Sequence, residues 1–396
     1  MTAKKKFPDI RFKGFAGEWE EKTLGDLAKI RMCKRIFAEQ TTTSGDIPFF
    51  KIGTFGKEPD AFISRNLYEE YKRKFSFPRK GDILISAAGT LGRTVVYDGS
   101  PAYFQDSNIV WLELDETRLC NEYLHPYYQV AKWTSEGSTI LRLYNGIIRS
   151  TNINYPPTKP EQARIGEFFK TLDGLISLAR EKHERTLNIK KAMFLRMFPQ
   201  KGEKVPQVRF KGFTREWEEK ELKECAEFNP KSLLPDEFEY VDLESVVGTE
   251  MISHRRESRM SAPSRAQRLA KQGDVFYQTV RPYQKNNYLF DLPCTNYVFS
   301  TGYAQIRPNI DGRFLFAILY VDSFIKSVLD KCTGTSFPAI NANDLAKIKI
   351  YVPNNEDEQK AIGKFFRQLD DLLSCYRRQL GKLQNIKAAC LQGMFA

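Results

Sequence analysis

Two stretches of this 396-residue sequence concentrate side chains that bind anions. Between residues 64 and 93 stand seven basic residues (Arg65, Lys72, Arg73, Lys74, Arg79, Lys80 and Arg93) against three acids. Between 254 and 285 the balance is eight to two, with Arg255, Arg256, Arg259, Arg265, Arg268, Lys271, Arg281 and Lys285 facing only Glu257 and Asp274. Lysine and arginine at that density pair with phosphates, and arginine, glutamine or threonine on a turn can hydrogen-bond to base edges. Thr90 with Arg93, and Arg281 with Gln284 and Lys285, flank turn-forming residues and are the candidate base readers if the anion is a nucleic acid. Arg65, Lys72, Arg73, Lys74, Arg79, Arg255, Arg256, Arg259 and Arg265 are the further candidates for contact with an anionic partner, DNA phosphates if that partner is DNA. A net charge of +12 favours an anionic partner, though charge alone does not separate nucleic acid from a membrane surface or a ribosome.

Other chemistries find no support. Three histidines (125, 183 and 254) and seven scattered cysteines without a Cys-x-x-Cys pair argue against a zinc site and against a histidine-based triad. The glycines at 53 and 56, and at 89 and 92, lack Walker-loop spacing, and no G-x-G-x-x-G follows a strand-like run. Asn154-Tyr155-Pro156-Pro157 resembles an amino-methyltransferase motif with the order of aromatic and prolines reversed, and reads as a helix boundary. Pro-Asp pairs at 8–9, 59–60 and 235–236 lack the following Glu-x-Lys of a nuclease site. No catalytic, cofactor or metal residue is therefore assigned. Free thiols fit a reducing cytoplasm. Lys4, Lys5 and Lys6 precede no apolar run, and no stretch of about 18 apolar residues exists, so neither a signal peptide nor a membrane span is expected.

The elements that would position the basic stretches are duplicated. Residues 161–198 recur, altered, as 358–395 at an offset of 197. Ile165, Gly166, Phe168, Phe169, Leu172, Asp173, Asn188, Ile189, Lys190 and Ala192 each meet the same residue in the second copy. In that copy Ile362, Phe366, Leu369, Leu373, Tyr376, Leu380, Leu383, Ile386 and Cys390 fall at spacings of three and four, one apolar stripe on a charged rod. Each copy predicts one helix of roughly 57 Å after a proline break. A stripe that long needs an equally long partner, and the other copy is the natural one: an antiparallel coiled coil. Ile165, Phe169, Leu172, Ile176, Ile362, Phe366, Leu369, Leu373, Leu380 and Leu383 are the candidate pairing and subunit-docking residues.

Residues 10–22 recur as 208–220, so Arg11, Phe12, Phe15 and Trp19 match Arg209, Phe210, Phe213 and Trp217. These aromatics read as anchors onto the chain's own fold. The bodies between, about 23–154 and 221–350, share a grammar of short strands and turns but differ in their letters. Residues 82–87 and 93–97 predict strands joined by a glycine turn, 104–111 leads into another, and 121–133 predicts a helix. Residues 273–278 parallel 81–86, and 334–341 precede a short polar segment and a strand at 348–352. Domain boundaries are set accordingly: 1–155 and 201–352 as mixed α/β bodies, 156–200 and 353–396 as long helices, an α+β chain with a pseudo-two-fold internal repeat.

The twice-occurring E-Q-x-x-I-G-x-F-F-x-x-L-D after a proline break, with the F-K-G-F-x-x-E-W segment ahead of each body, resembles the specificity subunit of type I restriction–modification systems over essentially the full length. The resemblance implies a non-catalytic DNA reader with two target-recognition domains, each reading half of a bipartite site in double-stranded DNA. The paired helices would set the spacer and dock two methylation subunits. It further implies that S-adenosylmethionine, ATP and magnesium belong to partner subunits, that motor and nuclease restriction subunits join the complex, and that the protein is cytoplasmic. Antiparallel like helices would generate a two-fold suited to half-sites about 34 Å apart. A self-contained methyltransferase or nuclease is the alternative, and would require a motif that is absent from the sequence.

Overall fold

The computed structural model describes residues 7–131, 133, 142–200, 202–334 and 337–395; Lys4, Lys5 and Lys6, and Thr335 and Ser336 of the 334–341 stretch, lie outside these. The chain divides into two compact units, Met1–Leu178 with Leu380–Ala396, and Ala179–Gln379.

In the first unit a clasp of β1 (Glu20–Thr23) against β9 (Asn152–Tyr155) closes the body, in antiparallel register from Glu20↔Tyr155 to Thr23↔Asn152. Inside it lie β2 (Ala28–Met32), β3 (Ile47–Phe50), β4 (Phe62–Ile63), β5 (Ile83–Ser86), β6 (Thr94–Val96), β7 (Tyr103–Phe104) and β8 (Ile109–Leu114). One sheet runs β2-β8-β5-β6, and a second runs β4-β3-β7 with β3 and β7 parallel. The helices are α1 (Leu24–Leu27), α2 (Arg65–Lys74), α3 (Asn121–Tyr128) and α4 (Asn145–Ser150). The expected helix over 121–133 stops at Tyr128, two residues after Pro126, whose carbonyl accepts the Gln129 N–H in a tightened last turn.

The second unit repeats this plan. β10 (Glu218–Glu221) clasps β21 (Lys349–Val352), antiparallel. The body holds β11 (Ala226–Phe228), β12 (Glu237–Val241), β13 (Val246–Val247), β14 (Glu250–Met251), β15 (Arg255–Ser258), β16 (Ala266–Leu269), β17 (Val275–Gln278), β18 (Tyr288–Leu289), β19 (Tyr297–Ser300) and β20 (Tyr303–Pro308). Its main sheet, β11-β20-β17-β18, has the connectivity of β2-β8-β5-β6. Its second sheet, β15-β12-β19-β16, keeps the antiparallel and parallel pairs of β4-β3-β7 and adds one edge strand. The two bodies thus differ in sequence while sharing a topology.

The long helices are α5 (Lys159–Arg196) and, after the short α6 (Gly312–Ile318), α7 (Asp322–Leu329) and α8 (Ala342–Ala346), α9 (Glu356–Phe395). Both run unbroken, α9 through Gly381, and begin two residues before the expected starts. Pairing is antiparallel within each unit. In the first, Phe169 meets Phe395 and Asp173 accepts from Lys387; in the second, Phe194 stacks on Phe366 at 4.2 Å and Asp370 accepts from Lys190. Of the expected stripe, Ile362, Phe366, Leu369 and Leu373 are buried, Tyr376, Leu380, Leu383 and Cys390 are half-buried, and Ile386 is exposed. Leu391 and Met394 are buried at that end instead. A straight helix drifts about 20° per seven residues, so a stripe projected over ten turns leaves the contact face.

Candidate nucleic-acid interface

The duplicated signature residues hold each body onto its helix. Glu161, in the first turn of α5, accepts from Arg11 Nε (2.7 Å) and Nη2 (2.8 Å) and from the Trp19 indole (3.3 Å). Glu358 does the same for Arg209 (2.6 and 2.8 Å) and Trp217 (3.4 Å). Both carboxylates are buried. Gln162 accepts from the Cys120 N–H and donates to the carbonyls of Arg118 and Pro156, while Gln359 accepts from the Asp311 N–H and donates to Pro353. A Cβ on Gly166 would meet the Glu122 carbonyl at 2.5 Å, and one on Gly363 the Phe314 nitrogen at 2.6 Å. Glycine at these two positions lets a body helix approach the long helix backbone to backbone. Phe12 and Phe210 pack edge-on against Phe168 and Phe365. The aromatic lead-in segments are therefore anchors, as expected; the unforeseen part is that their arginines close on the Glu of the helix motif. The signal was present, since Arg11 and Glu161 recur together as Arg209 and Glu358.

On the first body, the basic candidates lie on α2 and the β5–β6 turn. Ser64 caps α2, and buried Tyr68 fixes its inner face. Lys72 lies over the rings of Tyr68 and Phe77 and donates to the Tyr68 hydroxyl at 3.1 Å. Lys74 pairs with Glu70 at 2.8 Å and Arg65 stands 4.0 Å from Asp46, both exposed pairs of small energy. Arg73 and Arg79 are exposed. The Arg79 N–H donates to Asp82, whose carboxyl burial pushes above its ordinary range. In the turn, Thr90 is exposed, whereas Arg93 is half-buried and braces the loop by donating to the Phe55 carbonyl (2.9 Å) and Thr90 Oγ1 (3.3 Å). Arg142, which the sequence did not single out, reaches the same turn: it bridges to Ala88 and donates to Asn108.

On the second body, Arg255 donates to Asp242 and Glu257 and lies 4.7 Å over the Tyr240 ring; Arg256 pairs with Glu237. These acids hold the Arg255 and Arg256 guanidiniums above their ordinary values. Two of the eight counted cations are thus neutralised, in part by acids outside the counted stretch. Arg259 and Arg265 are exposed. Arg281, Gln284 and Lys285 share one loop after β17. Arg281 and Lys285 both adopt left-handed backbone (φ 54° and 57°), and the Arg281 guanidinium stacks 4.3 Å from the Phe337 ring centroid.

Two topologically equal heads on duplicated anchors fit a repeated recognition domain, and the comparison with known families decides which. Residues 16–187 and again 214–385 match the Type I restriction modification DNA specificity domain. The chain belongs to this family. A Haemophilus influenzae protein with the provisional name of a type I restriction enzyme specificity subunit is 58% identical over 158 residues, 39% of this chain and 41% of that protein. The match thus spans well under two thirds of that relative. A Methanocaldococcus jannaschii type I restriction enzyme specificity subunit is 23% identical over 326 residues, 78% of this chain and 73% of that protein. The crystal structure of a type I restriction–modification S subunit from M. genitalium shares the fold (TM-score 0.67, 16% identity, 98% of this chain and 99% of that one).

In this member of the family, Ile165, Phe169, Leu172, Ile176, Ile362, Phe366, Leu369 and Leu373 are buried, with Leu380 and Leu383 half-buried. Ile165, Phe169, Leu172 and Leu383 pack in the core of the first unit, and Ile362, Phe366 and Leu369 in that of the second. The long helices do present other apolar side chains at equivalent positions: Leu175 and Leu372 (42% and 44% exposed), and Ile189 and Ile386 (44% and 48%). Among the described residues no cluster of His, Cys, Asp or Glu could hold a metal ion, and no helix is long and apolar enough to cross a membrane.

Proposed function

We propose that this chain is the non-catalytic DNA-reading subunit of a type I restriction–modification complex, each body reading one half of a bipartite site. The observation that carries this is the pairing of one topology with two sets of loop side chains. The same sheet order ends in Thr90 and Arg93 on one body and in Arg281, Gln284 and Lys285 on the other. A duplicated enzyme would repeat its chemistry; a duplicated reader varies it. The equivalent exposed pairs Leu175/Leu372 and Ile189/Ile386 suit docking of two copies of one partner, here the methylation subunits. S-adenosylmethionine, ATP and magnesium then act in those methylation subunits and in the motor and nuclease subunits, in the cytoplasm.

The β1–β9 clasp brings the two ends of the first body together, so the body can be exchanged without disturbing the anchor formed by Arg11, Trp19 and Glu161. Replacing 24–151 by the equivalent body of another family member, then mapping methylated adenines made with the partner subunits, is expected to change one half-site and spare the other. A change in both halves overturns independent reading by the two bodies. Methyl transfer by the purified chain alone overturns the non-catalytic assignment and favours a self-contained enzyme.

A further inference from the structure

The loop after β17 is held in one conformation by hydrogen bonds that also determine which end of a glutamine faces outward. Gln278, the last residue of β17, is 2% exposed. Its Oε1 accepts the backbone N–H of Asn286 at 3.2 Å. A backbone N–H can only donate, so the oxygen of Gln278 must be the atom facing it. The Nε2 end of Gln278 is thereby turned toward Gln284, and it donates to Gln284 Oε1 at 2.8 Å. The amide oxygen of Gln284 is thus engaged inward, leaving its Nε2 as the end available to a ligand.

The surroundings keep this arrangement fixed. The Gln278 N–H donates to Asn287 Oδ1 (2.9 Å), and the Tyr320 hydroxyl lies 3.2 and 3.4 Å from the carbonyls of Lys285 and Asn287. On the other side the Arg281 N–H donates to the Pro338 carbonyl at 2.8 Å. Arg281 and Gln284 are the two ends of one tight turn, the Gln284 N–H donating to the Arg281 carbonyl at 3.0 Å. Between them Tyr283 is 49% exposed. The tip of the loop therefore presents a guanidinium and an amide NH2, both of them donors.

We infer that Gln284 reads its base as a donor, with Gln278 as the residue that positions it, and that the base it reads is guanine. Guanine offers two acceptors, N7 and O6, on its major-groove edge to the NH2 donors, where adenine (N7) and thymine (O4) offer one each. The familiar pairing of glutamine with adenine needs the amide oxygen turned to the base as well as the nitrogen, and here that oxygen faces Gln278, which already donates to one of its lone pairs. This rests on the reading of the second body as a DNA reader and adds to it the polarity of one contact.

The test co-expresses the chain with its partner subunits and maps methylated adenines genome-wide for the wild type and two variants. Gln284→Glu changes an exposed side chain; one oxygen still accepts from Gln278 and the other now faces outward as an acceptor. It is expected to shift one base pair of the second half-site away from guanine, toward a base presenting an amino group, by about tenfold. Gln278→Leu frees the Gln284 amide and is expected to lose about the same discrimination at that base pair alone. If both variants keep the wild-type site at every position, the inference falls while the specificity role stands. If Gln278→Leu instead abolishes recognition of that half-site through loss of the loop, Gln284→Glu alone decides, since its effect does not depend on unfolding. If the wild-type complex marks no defined sequence, the underlying reading falls too.

Discussion

The carboxylate at the start of each long helix is the smallest unit on which the architecture depends. Glu358 is buried and accepts three hydrogen bonds, two from Arg209 and one from Trp217, residues that lead directly into β10. Removing one member of a buried, hydrogen-bonded ion pair costs about 3–5 kcal/mol, because the other charge is left without a partner. Glu358→Ala is therefore expected to speed hydrogen exchange in β10 and β21 by about two to four orders of magnitude, and to leave β1 and β9 protected as before. Equal loosening of both clasps would show that the anchors are not independent. This clamp was half legible in the sequence: Arg11, Trp19 and Glu161 recur together as Arg209, Trp217 and Glu358, but the repeat alone does not say that an arginine and a glutamate 150 positions apart are in contact. The Gln278–Gln284 arrangement was less legible still. It depends on the direction of a single backbone N–H, which no pattern of residue types encodes. The paired state of Arg255 and Arg256 was missed for a similar reason, because a charge count along a stretch does not see Asp242 or Glu237 folded against it.

At the scale of elements, the long helices were legible because a 3.6-residue period and a repeated offset are both properties of sequence order. The sheets were not, because β2-β8-β5-β6 and β11-β20-β17-β18 join strands whose partners lie far apart along the chain. Helix pairing itself is tuned by two equivalent ion pairs of unequal burial. Lys190 and Asp370 are 12% and 19% exposed, against 17% and 35% for Lys387 and Asp173. Burial already pushes the Asp370 carboxyl above its ordinary value, with Lys190 opposing the shift. Lys190→Met is thus expected to destabilise the second unit by about 2 kcal/mol at neutral pH, more than Lys387→Met does the first. The pH dependence has a defined sign. Without Lys190 the folded carboxyl holds its proton to higher pH than the unfolded one, so the folded state is favoured while that proton is bound. Relative stability is therefore full below the ordinary Asp value of 3.8 and is lost as pH rises through the raised folded value. Urea unfolding of variant and wild type should converge in acid and separate toward neutral pH, and Asp370→Leu in the same chain should recover most of the loss. A gap independent of pH would refute the role of that carboxylate.

At the scale of the whole molecule, α5 and α9 each contribute to both units, and each carries both ion-pairing positions. Those positions are equally spaced along the two helices, 173 to 190 on α5 and 370 to 387 on α9. If helix length sets the spacer between half-sites, a change confined to one helix breaks this equality, so one ion pair or one helix must give way. Sequence periodicity alone suggests that four residues added near 180–184 suffice; the matched spacing calls for four residues in each helix, the second set near 377–381. Four helical residues add about 6 Å and rotate the downstream part of the helix by about 400°, some 40° past a full turn. Two base pairs add about 7 Å and about 70° at roughly ten base pairs per turn. The matched insertion is expected to preserve both half-site sequences and lengthen the unread spacer by about one or two base pairs, as mapped from methylated adenines with the partner subunits present. The single insertion is expected to lower modification without defining a new spacer. An unchanged spacer in the matched variant would place the measurement of the gap in the partner subunits, because both ion pairs and the loops proposed to read the bases would still be intact.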